Sequence, residues 1–252
     1  CERESAGYIR PAVGYGDWVA IDPDTPLDVI STAYFAYSTG LMEEIATALG
    51  RTADAARFHT LRDNIANAFN NAFANDQGMV SGDTQTCYVL SLAFDLLPEP
   101  RRTLAVGQLA DEIAGWGNHI STGFVGTKDI MMTLTETGRS DLASMLLLND
   151  TYPSWLYLVS LGATTTWEYW NDYHLQSHAH YTFGCVGDWM YKTIGGIDTI
   201  GAGFEQIRIR PEPGGGLAWA NVGYDSIRGT IESSWQYRDD YCLLYTSDAA
   251  DE

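Results

Sequence analysis

Helix-start and helix-stop signals alternate along the chain from Pro26 to Gly195, with apolar residues at three-to-four spacing between them. This punctuation constrains the fold more than any other feature. Pro23-Asp24-Thr25-Pro26 opens a helix predicted over 27–49 and closed by Gly50. Thr52 can cap the next, whose apolar face reads Phe58, Leu61, Ile65, Phe69, Phe73 before Asn75-Asp76-Gln77-Gly78 ends it. Further helices are predicted over Thr84–Leu97 (stopped by Pro98), Arg101–Trp116, Asp129–Thr137, Ser140–Leu148, Pro153–Leu161 and Ala179–Ile194, with a loop over Asn118–Gly126. Short links make consecutive helices antiparallel hairpins. No strands alternate with them, which argues against a parallel α/β sheet, and no sharp period marks a regular solenoid. Part of an α/α toroid, with paired helices around a central cavity, fits this pattern; a simple helical bundle fits almost as well.

After Gly195-Gly196 the pattern changes from helical to alternating. Phe204–Arg210 alternates and is bounded by Pro211-Glu212-Pro213-Gly214-Gly215-Gly216; Leu217–Val222 and Ile227–Tyr237 also read as strands. So short a β segment cannot close a sandwich, and is expected to be the start of a second domain. The predicted organisation is therefore a helical domain over 1–196 and a truncated β domain over 197–241. Cys242–Glu252 resembles the translation of a transposase adaptor used in sequencing libraries, and all eleven residues fit it. That stretch is expected to be an artefact of sequencing. Cys1 stands where a methionine would open a complete chain and no signal peptide is visible, so the sequence is expected to be a fragment at both ends. Its compartment is left open.

Acids outnumber bases 33 to 14, giving a net charge of −19. A phosphate backbone or an anionic membrane surface would repel such a chain, so neither nucleic acid nor membrane is expected as a partner. No apolar run is long enough to span a bilayer. The four cysteines, at 1, 87, 185 and 242, are far apart and are expected to be buried free thiols; no metal and no cofactor is predicted. The 8 Trp and 15 Tyr, set among so many carboxylates, suit neutral sugars: a pyranose face stacks on a ring and carboxylates accept its hydroxyls.

The residues able to carry chemistry lie mainly in loops. In Tyr15-Gly16-Asp17-Trp18, the Asp-Trp pair reads either as a helix cap or as a sugar platform. Asn118–Gly126 is a polar and aromatic loop, or simply a turn. In Gly162-Ala163-Thr164-Thr165-Thr166-Trp167-Glu168-Tyr169-Trp170, Glu168 sits between aromatics, where its acidity can be tuned and a sugar can be faced; it can equally satisfy loop amides. His178 and His180 would point apart on a helix start, which disfavours a shared metal and suits a hydrogen bond to a ligand.

The order of these elements is more specific than any one of them. Tyr15–Trp18, Gly82-Asp83-Thr84-Gln85-Thr86-Cys87-Tyr88, His119–Gly126, Tyr152-Pro153-Ser154-Trp155, Gly162–Glu168, His180–Trp189 and Arg208–Leu217 together resemble bacterial α-L-rhamnosidases of glycoside hydrolase family 78, collinearly from about Tyr8 to Asp240. The resemblance implies a mainly α fold: part of a six-hairpin (α/α)6 toroid followed by the start of a β-sandwich. It implies an inverting glycosidase that removes terminal L-rhamnose from glycosides or polysaccharides. Glu168 maps to the general base, Trp18 to a sugar-stacking ring with Asp17 as its substrate-binding neighbour, and His180 to a sugar contact. The segment between Glu168 and His180 is shorter than in many members. The family's general acid lies upstream of anything in this chain, so the polypeptide alone is expected to be inactive or unfolded. Another six-hairpin glycosidase or lyase, and a non-catalytic carbohydrate-binding homologue, are the competing readings.

Overall fold

The computed structural model describes residues 2–21, 23–172, 177–238 and 241–248. The helical part runs α1 (Leu27–Ala48), α2 (Thr52–Phe73), α3 (Gln85–Ala93), α4 (Glu99–Gly115), α5 (Phe124–Glu136), α6 (Ser140–Leu148), α7 (Trp155–Ser160) and a short α8 (Val186–Trp189). The pairs α1–α2, α3–α4 and α5–α6 are helical hairpins, and α3 packs against α1 and α5. α3 is the inner element: every residue from Gln85 to Leu92 is buried. Around it close Val29, Ala33 and Ala36 of α1, Leu109 and Ile113 of α4, and Ile130, Met131 and Leu134 of α5, in one continuous core. On α2 the expected face is the buried one, with Leu61, Ile65 and Phe69 inward.

α3 stops at Ala93 and not at Leu97, α4 begins at Glu99 and not at Arg101, and α7 spans Trp155–Ser160 within the expected Pro153–Leu161. Three further differences from the sequence pattern have a clear cause. α3 begins at Gln85 because Thr84 stays extended and caps it, accepting from the Cys87 amide at 3.1 Å. α5 begins at Phe124, not Asp129: its cap is a carboxylate far away in sequence, described below. The single helix expected over Ala179–Ile194 is broken. His180 gives its amide to the Thr166 carbonyl at 2.8 Å, and helical structure starts only as a 3₁₀ turn at Phe183–Cys185. It continues through α8 into a π-helical turn at Met190–Ile194.

The change of architecture falls at Gly195-Gly196. β1 (Ile197–Thr199) and β2 (Ile207–Ile209) form a two-stranded antiparallel ribbon. β1 was not visible as a strand, and β2 is shorter than the alternating run around it. β3 (Trp219–Ser226), β4 (Gly229–Arg238) and β5 (Tyr241–Asp248) form a second antiparallel sheet in the order β3-β4-β5. Period-2 alternation turns Ile231, Ser233 and Trp235 of β4 inward. The Trp235 indole donates to the Ile194 carbonyl at 2.7 Å, which ties this sheet to the end of the helical part. Cys87, Cys185 and Cys242 are free thiols, but of these only Cys87 is buried as expected; Cys185 is half-buried and Cys242 exposed.

Candidate active-site rim

Four segments reach one rim, each leading into the N-terminal end of an inner helical element: the Asp17–Ala20 turn before α1, Thr84 before α3, Ser121–Gly123 before α5, and His180–Thr182 before the turn at Phe183. Helix N-termini present free amides and a partial positive charge, so such a rim favours oxygen-rich ligands and carboxylates.

Asp17 shows this directly. It is only 8% exposed. Its carboxylate accepts from the Thr86 hydroxyl at 2.5 Å and from the amides of Gly123, Val125 and Gly126 at 2.8, 2.7 and 3.4 Å. These donors are the first free amides of α5, which explains why that helix starts five residues before the expected point. Burial pushes the Asp17 carboxyl above its ordinary range; the four hydrogen bonds oppose that shift without cancelling it. Every bond that the structure gives this carboxylate runs inward, away from solvent.

The neighbouring Trp18 is 49% exposed. Its carbonyl accepts from the Phe124 amide at 2.9 Å, and the Ala20 amide closes the turn on the Asp17 carbonyl at 3.0 Å. Gly123 lies directly beneath: a Cβ there would stand 2.3 Å from the Trp18 carbonyl oxygen and 2.5 Å from that of Asp17. Only glycine permits that approach.

Glu168 and His180 sit on two segments laced together. The Glu168 amide donates to the Ser177 carbonyl at 3.0 Å, the Thr166 hydroxyl to the His180 carbonyl at 2.8 Å, and the Thr165 hydroxyl to the His178 carbonyl. The Trp167 ring stacks on His178, with centroids 4.9 Å apart. Residues 173–176, within the stretch expected to be short, lie outside the described residues. Glu168 is half-buried, and no described residue hydrogen-bonds its carboxylate. The His180 ring stacks on Phe124 at 4.7 Å and 29°. Phe124 meets Phe183 edge-on, and Phe183 stacks on Trp170, which meets Trp155 edge-on. Trp155 in turn donates to the Phe183 carbonyl at 2.8 Å.

Phe124 is therefore the link between the two sides of the rim. Its amide holds the Trp18 turn and its ring carries His180. Neither Phe124 nor the buried pair Gln85 and Thr86 was singled out from the sequence. The Gly82–Tyr88 motif was the available signal, but nothing in it tells that Thr86 reaches across to Asp17.

Residues 2–194 match the bacterial alpha-L-rhamnosidase 6 hairpin glycosidase domain. The chain belongs to that family. Residues 196–247 match the bacterial alpha-L-rhamnosidase C-terminal domain. An alpha-L-rhamnosidase of Streptomyces avermitilis is 42% identical over 246 residues, 94% of this chain and 24% of that protein. One from Formosa agariphila is 38% identical over 261 residues, covering 96% of this chain and 28% of that protein. The crystal structure of the Streptomyces avermitilis alpha-L-rhamnosidase complexed with L-rhamnose superposes with a TM-score of 0.93, over 98% of this chain and 25% of that one. The alpha-L-rhamnosidase of Dictyoglumus thermophilum, 30% identical, gives 0.91 over 98% of this chain and 29% of that one. The chain thus spans about a quarter of the length of the rhamnosidases it matches. The fold is the six-hairpin glycosidase architecture followed by a C-terminal β region.

Proposed function

We propose that this chain is the C-terminal part of an inverting α-L-rhamnosidase, acting on terminal L-rhamnose of a glycoside or polysaccharide. Glu168 is the general base. Its half-buried carboxylate, which no described residue hydrogen-bonds, is the observation that carries the reading: a base that activates water needs free lone pairs, and those of Asp17 are taken. Trp18 offers an exposed ring on which a pyranose face can stack, and the half-buried His180 ring offers a nitrogen for a hydrogen bond.

In an inverting hydrolysis a carboxylic acid protonates the leaving oxygen. A carboxylate about 6.5–9.5 Å from it takes a proton from the water that attacks the anomeric carbon on the opposite face. The acid is to be supplied by the part of the enzyme outside this chain. Without it the chain alone has no turnover, since general acid catalysis contributes about 10²–10⁴-fold.

The domain limits fit the same reading: 1–196 for the catalytic part and 197–241 for the start of the β domain. Residues 242–252 remain assigned to a sequencing adaptor. The pairing of β5 with β4 is compatible with that, because an open strand edge templates any alternating segment beside it. Resequencing the source DNA across Cys242 tests the assignment; a native codon run into further strands would refute it.

The functional test places residues 1–241 in the corresponding quarter of the Streptomyces avermitilis enzyme. The chimera is expected to hydrolyse an aryl α-L-rhamnoside with inversion, and Glu168→Gln to lower kcat by about 10²–10⁴-fold with sugar binding retained. Undiminished turnover in Glu168→Gln would refute the assignment.

A further inference from the structure

From Thr84 to Tyr88 the Gly82–Tyr88 element is buried, yet its residues reach both neighbouring segments. Gln85, fully buried, donates to the His119 carbonyl at 2.9 Å and accepts from the Ser121 amide at 2.9 Å. The Ser121 carbonyl accepts from Ile21 at 3.0 Å, so the same clamp fixes the chain just after the Trp18 turn. Thr86, also buried, donates to Asp17, which fixes the chain just before it. Gly126 admits the Thr86 hydroxyl, which would stand 2.4 Å from a Cβ there.

The turn between these anchors is strained. Val19, a β-branched residue, has φ +65°, a conformation that persists only where the surroundings impose it. The anchors at Asp17, Phe124 and Ile21 leave the Asp17–Ala20 backbone one path, and Trp18 is the half-exposed side chain that this path displays.

The geometry points to Thr86 and Asp17 as positioning residues: a buried hydroxyl–carboxylate pair that sets the direction in which the Trp18 indole meets a sugar. Asp17 then serves the site through Trp18 and not by touching substrate. The identity of the sugar rests on the rhamnosidase reading; the positioning does not.

The test separates the two. The chimeric enzyme carrying residues 1–241 is labelled with 5-fluorotryptophan, and the fluorine resonances of Trp18, Trp155, Trp170 and Trp235 are each identified by their loss in the corresponding Trp→Phe variant. In Thr86→Val the Trp18 resonance is expected to shift or broaden while those of buried Trp155, Trp170 and Trp235 hold, and Thr86→Ser is expected to restore it. Should Thr86→Val fail to fold, Asp17→Asn, close to isosteric, gives the same reading. A Trp18 resonance unmoved by both variants overturns the proposal. So does equal movement of the buried resonances, which would mark general loosening. In the chimeric enzyme Thr86→Val is expected to raise KM about tenfold with a smaller change in kcat, as a displaced binding platform would. A moved resonance with unchanged kinetics upholds the positioning and refutes Trp18 as a rhamnose contact.

Discussion

On the Trp18 side of the rim, one buried carboxylate gathers four hydrogen bonds from two inner helices, and a glycine lets the backbone settle on top of them. On the Glu168 side, a ladder of backbone and threonine bonds joins two loop segments, and the carboxylate they carry has no bond to any described residue. The first arrangement fixes geometry; the second leaves a carboxylate that no described residue engages. The difference teaches that burial and hydrogen bonding together decide which carboxylate of a site is committed to structure. A carboxylate surrounded by amides is held still and made unavailable, whereas one among aromatics at the edge keeps its lone pairs for water.

Substitutions on the held side should therefore cost stability, and those on the free side should not. The largest effect is expected at Gly123→Ala, where a Cβ 2.3 Å from the Trp18 carbonyl must push the turn away. A loss of about 3 kcal/mol in denaturant unfolding is predicted. Next comes Asp17→Ala, which strips an acceptor from three amides and a hydroxyl at the start of α5. A loss of about 2–3 kcal/mol is predicted, with fraying of α5 visible as faster amide exchange at Val125 and Gly126.

Asp17 also gives the comparison a pH signature. Its folded pKa is raised from 3.8 by burial, so the folded chain binds that proton more tightly than the unfolded chain does. The ionised form opposes folding above the folded pKa. This cost is relieved as pH falls from the folded pKa towards 3.8. Wild type should thus gain stability relative to Asp17→Asn over that window. A constant difference between the two across the titration would show that the four hydrogen bonds cancel the effect of burial, and a loss of relative stability on acidification that they outweigh it.

Much of this was legible in the sequence, and the exceptions have a common cause. The helices read correctly where a local signal started or stopped them: Pro26 and Gly50 around α1, and the Phe58–Phe73 stripe on α2. Pro98, expected to stop the third helix, instead stands at the start of α4. Reading failed where a distant group did the work of a local one. The cap of α5 stands 106 to 109 residues upstream, at Asp17, so its N-terminus looked like loop. The helix expected from Ala179 was broken by Thr166, fourteen residues before its partner His180. Of the candidate site residues, Trp18, Glu168 and His180 were visible as types in loops. That Asp17 faces inward was not, because no spacing within Tyr15–Trp18 reports a partner at Thr86.

His180→Ala lies between the two sides, since the ring stacks on Phe124 and its backbone stays bonded to Thr166. A cost of about 1 kcal/mol is predicted, the size of one aromatic contact. The smallest effect on stability is expected at Glu168→Gln. The side chain is half-buried, shares its shape with glutamine, and leaves no described donor without an acceptor when its charge is removed. Its unfolding free energy should stay within about 0.5 kcal/mol of wild type. The chimera's turnover should nevertheless collapse, because in the proposed mechanism the lost charge is the one that takes a proton from water. Stability and activity would then separate completely at this residue, whereas at Asp17 they fall together. A Glu168→Gln chain destabilised as much as Asp17→Ala would mean that both carboxylates are structural, and the division of labour across the rim would be gone.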